Sequence, residues 1–290
     1  MTTPELGDIL KSVQMQGLSE DCIAIILAGS RAIGTHRNDS DIDIVLLSNL
    51  QSPPITNTKF DSMGFVFDVW TYDYEYFRST LQQEAQNLND VDNISLFLSI
   101  LQGGKLLSCS SSYKKSIEMM IQRAQKWKWK ENYISDTYFP QSVPPEDAIY
   151  QTAYNENNVL LQLIRDHLQS QKLISHRLKD FNQYLIHLDL PDISDIFDIV
   201  DQAYHEAGIS REWTELVDAR KAVARNDDTL AIASLRDVIR FLVRISLENP
   251  PDQLLDPSIW HQAEVSDLPP ALCQAISTMY SRCPNLIKYP

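Results

Sequence analysis

Three stretches near the start of the chain have the hydrophobic pattern of β-strands. Residues 23–28 are apolar throughout, which is typical of a strand buried on both faces. Residues 41–48 begin with alternating aspartate and isoleucine and continue as an apolar run. Residues 64–71 form a third run, in which Asp68 is the only charge. Alternation places Asp68 with Val66 and Trp70 on one face of that strand. The pattern therefore predicts three strands with few, specifically placed carboxylates.

Asp41 and Asp43 lie two residues apart at the start of the second predicted strand. Because side chains alternate along a strand, both carboxylates project from one face with their Cα atoms about 6.5 Å apart, while Ile42 and Ile44 face the other way. Two like charges in this position repel each other unless a cation lies between them. Carboxylate oxygens suit Mg²⁺, and substrate phosphates often complete its coordination. The spacing predicts a magnesium site.

Gly29 and Ser30 follow the first predicted strand at a turn into a short helix. Glycine accepts backbone conformations that other residues resist, and serine is a favourable helix N-cap. The free N–H groups at a helix start, together with a serine hydroxyl, can bind phosphate oxygens. A phosphate-binding turn just upstream of a carboxylate pair is the outline of a nucleotide site.

Apolar residues recur with helical spacing through most of the remaining chain. In the first part of the chain they predict helices over residues 4–18, 73–88 and 92–102, with a proline-rich loop over 52–58. From residue 111 on they predict helices only, over residues 113–131, 144–171, 175–188, 192–207, 211–225, 228–248 and 271–282. The predicted fold class is α+β. We expect a small α/β domain with a mixed β-sheet at residues 1–110 and an all-α helical bundle at residues 111–290.

The turn and the carboxylate pair together resemble the signature of the DNA polymerase beta-like nucleotidyltransferase superfamily. The resemblance is greatest to its small bacterial branch of minimal and aminoglycoside nucleotidyltransferases. It rests on Gly29-Ser30-Arg31-Ala32-Ile33-Gly34-Thr35 followed by Ser40-Asp41-Ile42-Asp43. The helical second part resembles that branch in layout only, since a helical bundle there recognises the acceptor.

The resemblance implies a reaction and a set of site residues. The Gly29-Ser30 turn would hold the triphosphate of a nucleotide, with ATP as the expected donor. Asp41 and Asp43 would hold magnesium, and Asp68 would be the third carboxylate that completes the metal site. A nucleoside monophosphate would pass to an acceptor hydroxyl by a two-metal mechanism. Residues 101–107 would form the last strand of the catalytic domain.

Three other residues have candidate roles that the resemblance suggests. Arg31 is within reach of the phosphates. Lys179 stands where related enzymes place a phosphate-contacting lysine. Glu156 is a candidate acceptor contact, or a candidate general base as an alternative to Asp68. Each of the three is explained equally well as a solvated helical side chain.

Composition limits the class of partner. The chain has 290 residues, enough for one large or two ordinary domains. No stretch approaches the ~20 consecutive apolar residues of a membrane span, and the N-terminus has no signal-peptide pattern. The four cysteines show no metal-ligand spacing and indicate reduced thiols in a cytoplasmic protein (Cys22, Cys109, Cys273 and Cys283).

The net charge of −14 and the absence of a basic stripe argue against nucleic acid as a partner. The same acidity is compatible with a polycationic small acceptor such as an aminoglycoside. Several interpretations stay open: modification of a small molecule, modification of a protein or RNA in a toxin–antitoxin system, oligonucleotide synthesis, and a nucleotide-binding regulator without catalysis. A purely structural explanation, acidic residues that block a strand edge, leaves Gly29, Ser30 and Asp68 unexplained.

Overall fold

A mixed five-stranded sheet forms the centre of the N-terminal part of the chain. The structure is a computed structural model that describes residues 4–19, 22–50, 53–83, 88–129, 143–170, 177–190, 192–210, 212–249, 256 and 258–288. The strands are β1 (Cys22–Leu27), β2 (Ile42–Ser48), β3 (Ile55–Ser62), β4 (Phe65–Asp73) and β5 (Lys105–Cys109). Their order across the sheet is β3-β4-β2-β1-β5. Only the β2–β4 pair is parallel among the pairs of this sheet.

The alternating pattern of the strands determines which face is buried. Ile42, Ile44, Phe67 and Val69 are completely buried, and they form one core with Ile9 and other apolar residues of the first helix. The side chains between them, including Asp43 and Asp68, therefore point to the opposite face of the sheet. The facing predicted from the sequence for both strands is confirmed.

β3 and β4 form a hairpin that the sequence analysis did not predict. Residues 55–58 were expected to belong to a proline-rich loop, but they begin β3, which pairs with β4 as far as Ser62 opposite Phe65. The two residues of the turn, Met63 and Gly64, both have positive φ angles of 55° and 77°, as a type I′ turn requires. β3 is an edge strand with little buried surface, so its hydrophobic pattern is weak.

Five helices accompany the sheet in the described part of this first unit: α1 (Leu6–Met15), α2 (Gly29–Ile33), α3 (Tyr74–Thr80), α4 (Leu88–Gly103) and α5 (Lys114–Gln125). The chain divides into one compact unit of residues 1–86 and 90–129 and another of residues 87–89 and 130–290. The boundary therefore differs from the expected one at residue 110. α5 belongs to the first unit. There, Ser116 is hydrogen-bonded to Tyr74 of α3 at 2.5 Å, and Gln102 of α4 donates to the carbonyl of Ala124 at 2.7 Å.

The described part of the second unit is almost entirely helical, which confirms the α+β class. It contains α6 (Ala148–Gln169), a 3-10 helix (Leu178–Tyr184), α7 (Ile193–Glu206), α8 (Thr214–Ala224), α9 (Asp228–Ser246), α10 (Ser258–Val265) and α11 (Pro270–Arg282). The 3-10 helix replaces the longer helix expected over 175–188, and α10 was not predicted. Parts of several predicted helices, at residues 84–87, 130–131, 171, 175–176 and 211, lie outside the described residues. Within the ranges that the structure describes, no helix combines the length and apolar character needed to cross a membrane.

Candidate functional site

The parallel pairing of β2 and β4 brings two of the predicted carboxylates together. Asp43 lies directly opposite Asp68 in the register, and Asp41 immediately precedes β2. Adjacent strands are about 4.8 Å apart, and opposed side chains point to the same face. Asp43 is half-buried, while Asp68 is only 4% exposed. Two like charges are thus held side by side on the face of the sheet opposite the core.

Lys59 on β3 extends this line of charges by one strand. It lies opposite Asp68 in the hairpin register, and its Nζ atom is 3.2 Å from Asp68 Oδ2. The Asn57 side-chain amide donates to Asp68 Oδ1 at 2.5 Å. Both carboxylate oxygens of Asp68 therefore accept a donor from β3. We call Asp43, Asp68 and Lys59 the charge row.

Gly29 adjoins the other end of the charge row. Its φ angle is +62°, and a Cβ atom at this position would lie 1.9 Å from Asp43 Oδ2. The backbone N–H of Ala28 donates to the carbonyl of Asp43 at 2.8 Å, which fixes the turn against β2. A glycine is required here both for the backbone conformation and for the room that the carboxylate occupies.

Ser30 does not cap the helix that follows. The N-cap position of α2 is Ala28, which has an extended backbone, and Ser30 lies inside the five-residue helix. The expectation that Ser30 is the N-cap is therefore wrong, because the helix begins at Gly29, two residues earlier than a cap at Ser30 would place it. Ser30 is half-buried beside the exposed Gly29, and its predicted contact with phosphate stays a prediction.

Arg31 is 6% exposed, and its guanidinium holds the segment that leads to the carboxylates. Nε donates to the carbonyls of Ser40 and Asp41 at 3.1 and 3.0 Å, and Nη2 donates to Ser40 at 2.6 Å. The guanidinium also lies 4.6 Å from the centre of the Phe65 ring. Burial lowers the pKa of Arg31, while the carboxylates of Asp41 and Asp43 oppose that shift. These contacts give Arg31 a positioning role for Asp41; its contact with nucleotide stays a prediction.

Lys179 and Glu156 belong to the second unit, and both have ionic partners there. Lys179 lies in the 3-10 helix and forms an ion pair with Asp218 of α8. Glu156 is 6% exposed on α6 and pairs with Arg236, which is completely buried on α9. Glu156 is therefore a core residue of its unit and not a solvated helical side chain, while its role as an acceptor contact or general base stays a prediction.

The donor set of the site is chemically suited to magnesium. Asp41, Asp43 and Asp68 supply only carboxylate oxygens, the ligands that Mg²⁺ prefers, and Gly29 leaves the space beside Asp43 Oδ2 free of a side chain. As these side chains stand, no group of three or more histidine, cysteine, aspartate or glutamate residues within the described ranges is arranged to hold a metal ion. At Asp68, a cation is already in place: the ammonium of Lys59.

Comparison with known proteins agrees with this geometry. Residues 9–92 match the family model of the nucleotidyltransferase domain. This segment is a nucleotidyltransferase domain of the DNA polymerase beta-like superfamily. The match contains β1 to β4, and with them the charge row and the Gly29 turn. A nucleotide substrate and nucleotidyl transfer follow from the family.

Two other comparisons add little to this identification. The crystal structure of a nucleotidyltransferase-like protein from Exiguobacterium sibiricum aligns with 94% of this chain and 74% of its own, at 9% identity and a TM-score of 0.31. A search of curated proteins found no match. The family assignment therefore rests on residues 9–92.

Sequence reasoning missed Lys59 and Asn57. Both are polar residues of β3: Asn57 lies in the part that was interpreted as a proline-rich loop over residues 52–58, and Lys59 lies in the following part, for which no element was predicted. The signal that could have revealed them is the spacing of Met63-Gly64, a two-residue hairpin connection directly before the strong strand pattern of β4.

Proposed function

We propose that the protein transfers a nucleoside monophosphate, AMP from ATP, to a hydroxyl group of a small-molecule acceptor. The observation that carries this proposal is the register of β2 and β4, which sets Asp43 beside Asp68 with Gly29 against the Asp43 carboxylate. A nucleotidyltransferase domain at residues 9–92 supports the reaction class. The identity of the nucleotide and of the acceptor is the part that we infer beyond the family.

In this proposal, Asp41, Asp43 and Asp68 hold two magnesium ions, which supply the positive charge that stabilises the phosphates. The chain's own groups supply the rest. The backbone at Gly29 and Ser30 binds the triphosphate, and Arg31 fixes the backbone that carries Asp41. The acceptor oxygen attacks the α-phosphorus atom, the bond to the pyrophosphate oxygen breaks, and the acceptor proton passes to a base. Asp68 is the candidate base in the first unit.

The second unit is proposed to contribute to acceptor recognition. We propose that the acceptor is a small cationic molecule, such as an aminoglycoside-like antibiotic. The net charge of −14 supports this choice. Four free cysteines suit the reducing cytoplasm. A protein or RNA acceptor, or a second nucleotide, would place the chain in a toxin–antitoxin or oligonucleotide-synthase class instead.

Nucleotide binding is the first test. Thermal unfolding is measured with ATP, GTP, CTP and UTP, each with and without Mg²⁺, because a ligand of the native state raises stability by about 2.7 kcal/mol at a hundredfold excess over its dissociation constant. We expect a magnesium-dependent shift that is largest with ATP and is lost in Asp43→Asn. Asp8→Asn, the same chemical change at an exposed position of α1, is the matched control. No shift with any nucleotide would contradict the proposal.

The acceptor is then sought with the nucleotide that binds. Pyrophosphate release is measured with aminoglycosides, with a mixture of cellular proteins, with RNA and with the nucleotide alone. Release that depends on an aminoglycoside supports the small-molecule proposal. Release with nucleotide alone, accompanied by a nucleotide dimer or oligomer, would identify a synthase.

A further inference from the structure

Lys59 occupies a position that a structural ion pair alone does not require. β3 is an edge strand, and a lysine there needs no partner, since charged edge side chains normally point into water. The Lys59 side chain is exposed, at 37%, but its ammonium contacts a carboxylate whose side chain is only 6% exposed. That carboxylate is the one that the superfamily resemblance assigns to the metal site.

The second donor on Asp68 comes from the same strand and the same face. Asn57 precedes Lys59 by two residues, so both side chains project from one face of β3. The amide of Asn57 binds Oδ1 and the ammonium of Lys59 binds Oδ2. Asn57 also donates to the carbonyl of Val69 at 3.3 Å, which holds its amide against β4. β3 thus orients the Asp68 carboxylate and places a cation beside it.

We propose that Lys59 is a positioning residue that stands in for a divalent cation at Asp68 in the nucleotide-free protein, and that metal binding at Asp68 displaces its ammonium. This inference rests on the proposed function, since it assigns Asp68 to the metal site. A monovalent ammonium offsets the repulsion between Asp43 and Asp68, which lie opposite each other. A divalent ion at Asp68 would offset the repulsion between the two carboxylates with twice the charge. It would also repel the Lys59 ammonium, which lies 3.2 Å from Asp68 Oδ2.

The arrangement has a functional consequence. A metal ion that binds without nucleotide must displace Lys59, and in this proposal its protein ligands are the carboxylates. A metal ion that arrives with a triphosphate brings phosphate oxygens that complete its shell. Lys59 therefore lowers the affinity of the site for free metal relative to the metal–nucleotide complex.

The test is Mn²⁺ binding to the nucleotide-free full-length protein, measured by electron paramagnetic resonance. We expect Lys59→Met and Lys59→Gln to bind Mn²⁺ about fivefold more tightly than the wild type, the size of one partly screened ion pair. Lys59→Arg keeps the positive charge and retains the wild-type affinity. Lys11→Met removes the same charge from an exposed position of α1 and controls for the change in net charge. Circular dichroism confirms that each variant is folded.

The outcomes separate this inference from the proposed function. If Mn²⁺–ATP binds the wild type and is lost in Asp43→Asn, but Lys59→Met and Lys59→Gln bind free Mn²⁺ no more tightly, the role of Lys59 is overturned and the proposed function stands. If neither Mn²⁺ nor Mn²⁺–ATP binds the wild type or these variants, both are overturned. In Lys59→Met/Asp68→Asn the gain in affinity disappears when the inference is correct, and its persistence would overturn the inference.

Discussion

The charge row of the first unit and a charge cluster of the second contain the same kinds of side chain in different surroundings. The cluster consists of Glu156, Arg236, Asp237 and Arg240, all of them almost completely excluded from water. Arg236 pairs with Glu156 and Arg240 with Asp237, and both carboxylate oxygens of Asp237 accept the backbone N–H of Leu178 at 3.0 Å. Burial lowers the pKa of both arginines to about 10.

In the charge row, by contrast, the cation is partly exposed and the carboxylates outnumber it. Lys59 reaches water over more than a third of its side chain, and Asp43 is half-buried. In our proposal the ammonium beside Asp68 can be exchanged for a metal ion because it is in contact with water, whereas both members of each ion pair in the cluster are buried. The comparison teaches that burial of a charge alone does not indicate a functional site, and that the exposure of its partner has to be considered as well.

Removing a carboxylate from the charge row is expected to have the largest effect on activity. Asp43→Asn should lower the rate of nucleotidyl transfer by at least about a thousandfold, since one ligand for the ions that balance the phosphate charge is lost. The unfolding midpoint should be unchanged or slightly higher, because repulsion with Asp68 is relieved. Pyrophosphate release and thermal unfolding are measured on the same sample. Activity within tenfold of wild type would contradict the role of Asp43.

The opposite result is expected when a partner is removed from the cluster. Arg236→Met leaves Glu156 buried without its cation, and we expect the free energy of unfolding to fall by about 3–5 kcal/mol. Glu156→Leu/Arg236→Met removes both charges and should regain most of that loss. Urea unfolding of the two single variants and the double variant measures the effect. A double variant no more stable than the singles would show that the charges are not coupled.

Gly29 and Gly17 have similar backbone conformations, so comparing alanine substitutions at the two positions separates the cost of backbone strain from the steric requirement of the site. Gly29 and Gly17 have φ angles of +62° and +70°, but a Cβ atom at Gly17 would meet nothing within 4 Å. Alanine at either position should cost about 1–2 kcal/mol of stability. Only Gly29→Ala should also weaken Mn²⁺–ATP binding, because its methyl group displaces the Asp43 carboxylate. Equal nucleotide binding by the two variants would mean that the contact with Asp43 is unimportant.

The smallest effect is expected at Lys179. Its ion pair with Asp218 is partly exposed, so Asp218→Asn should reduce stability by less than about 1 kcal/mol. If Lys179 contacts phosphate as the resemblance implies, Lys179→Met weakens ATP binding while Asp218→Asn does not. Titration of each variant with Mg²⁺–ATP in the thermal-unfolding assay measures both quantities. Unchanged ATP binding in Lys179→Met would leave the lysine a structural role alone.

Local patterns predicted the centre of the first unit well. The two strands that carry Asp43 and Asp68 have strong alternation, and Ile42, Ile44, Phe67 and Val69 are buried as expected. The register between these two strands could not be predicted. They pair in parallel, and β3 lies between them in the sequence, so no short turn fixes which residues lie opposite each other. β3 itself was missed because an edge strand contains too few buried side chains to give a clear pattern.

The features that could not be predicted depend on contacts between residues far apart in the sequence. Glu156 pairs with a residue eighty positions further along the chain, about which helical periodicity gives no information. The helix α5 has a polar, amphipathic sequence that suits either unit, and its contacts with distant residues such as Tyr74 and Gln102 belong to the first.

The Met63-Gly64 turn has a consequence for how the site assembles. A hairpin closed by two residues forms in microseconds, whereas the pairing of β2 with β4 has to close the longer loop that contains β3. We therefore expect Lys59 to meet Asp68 before Asp43 does during folding. In that order, the second carboxylate joins a partner that already has a cation beside it.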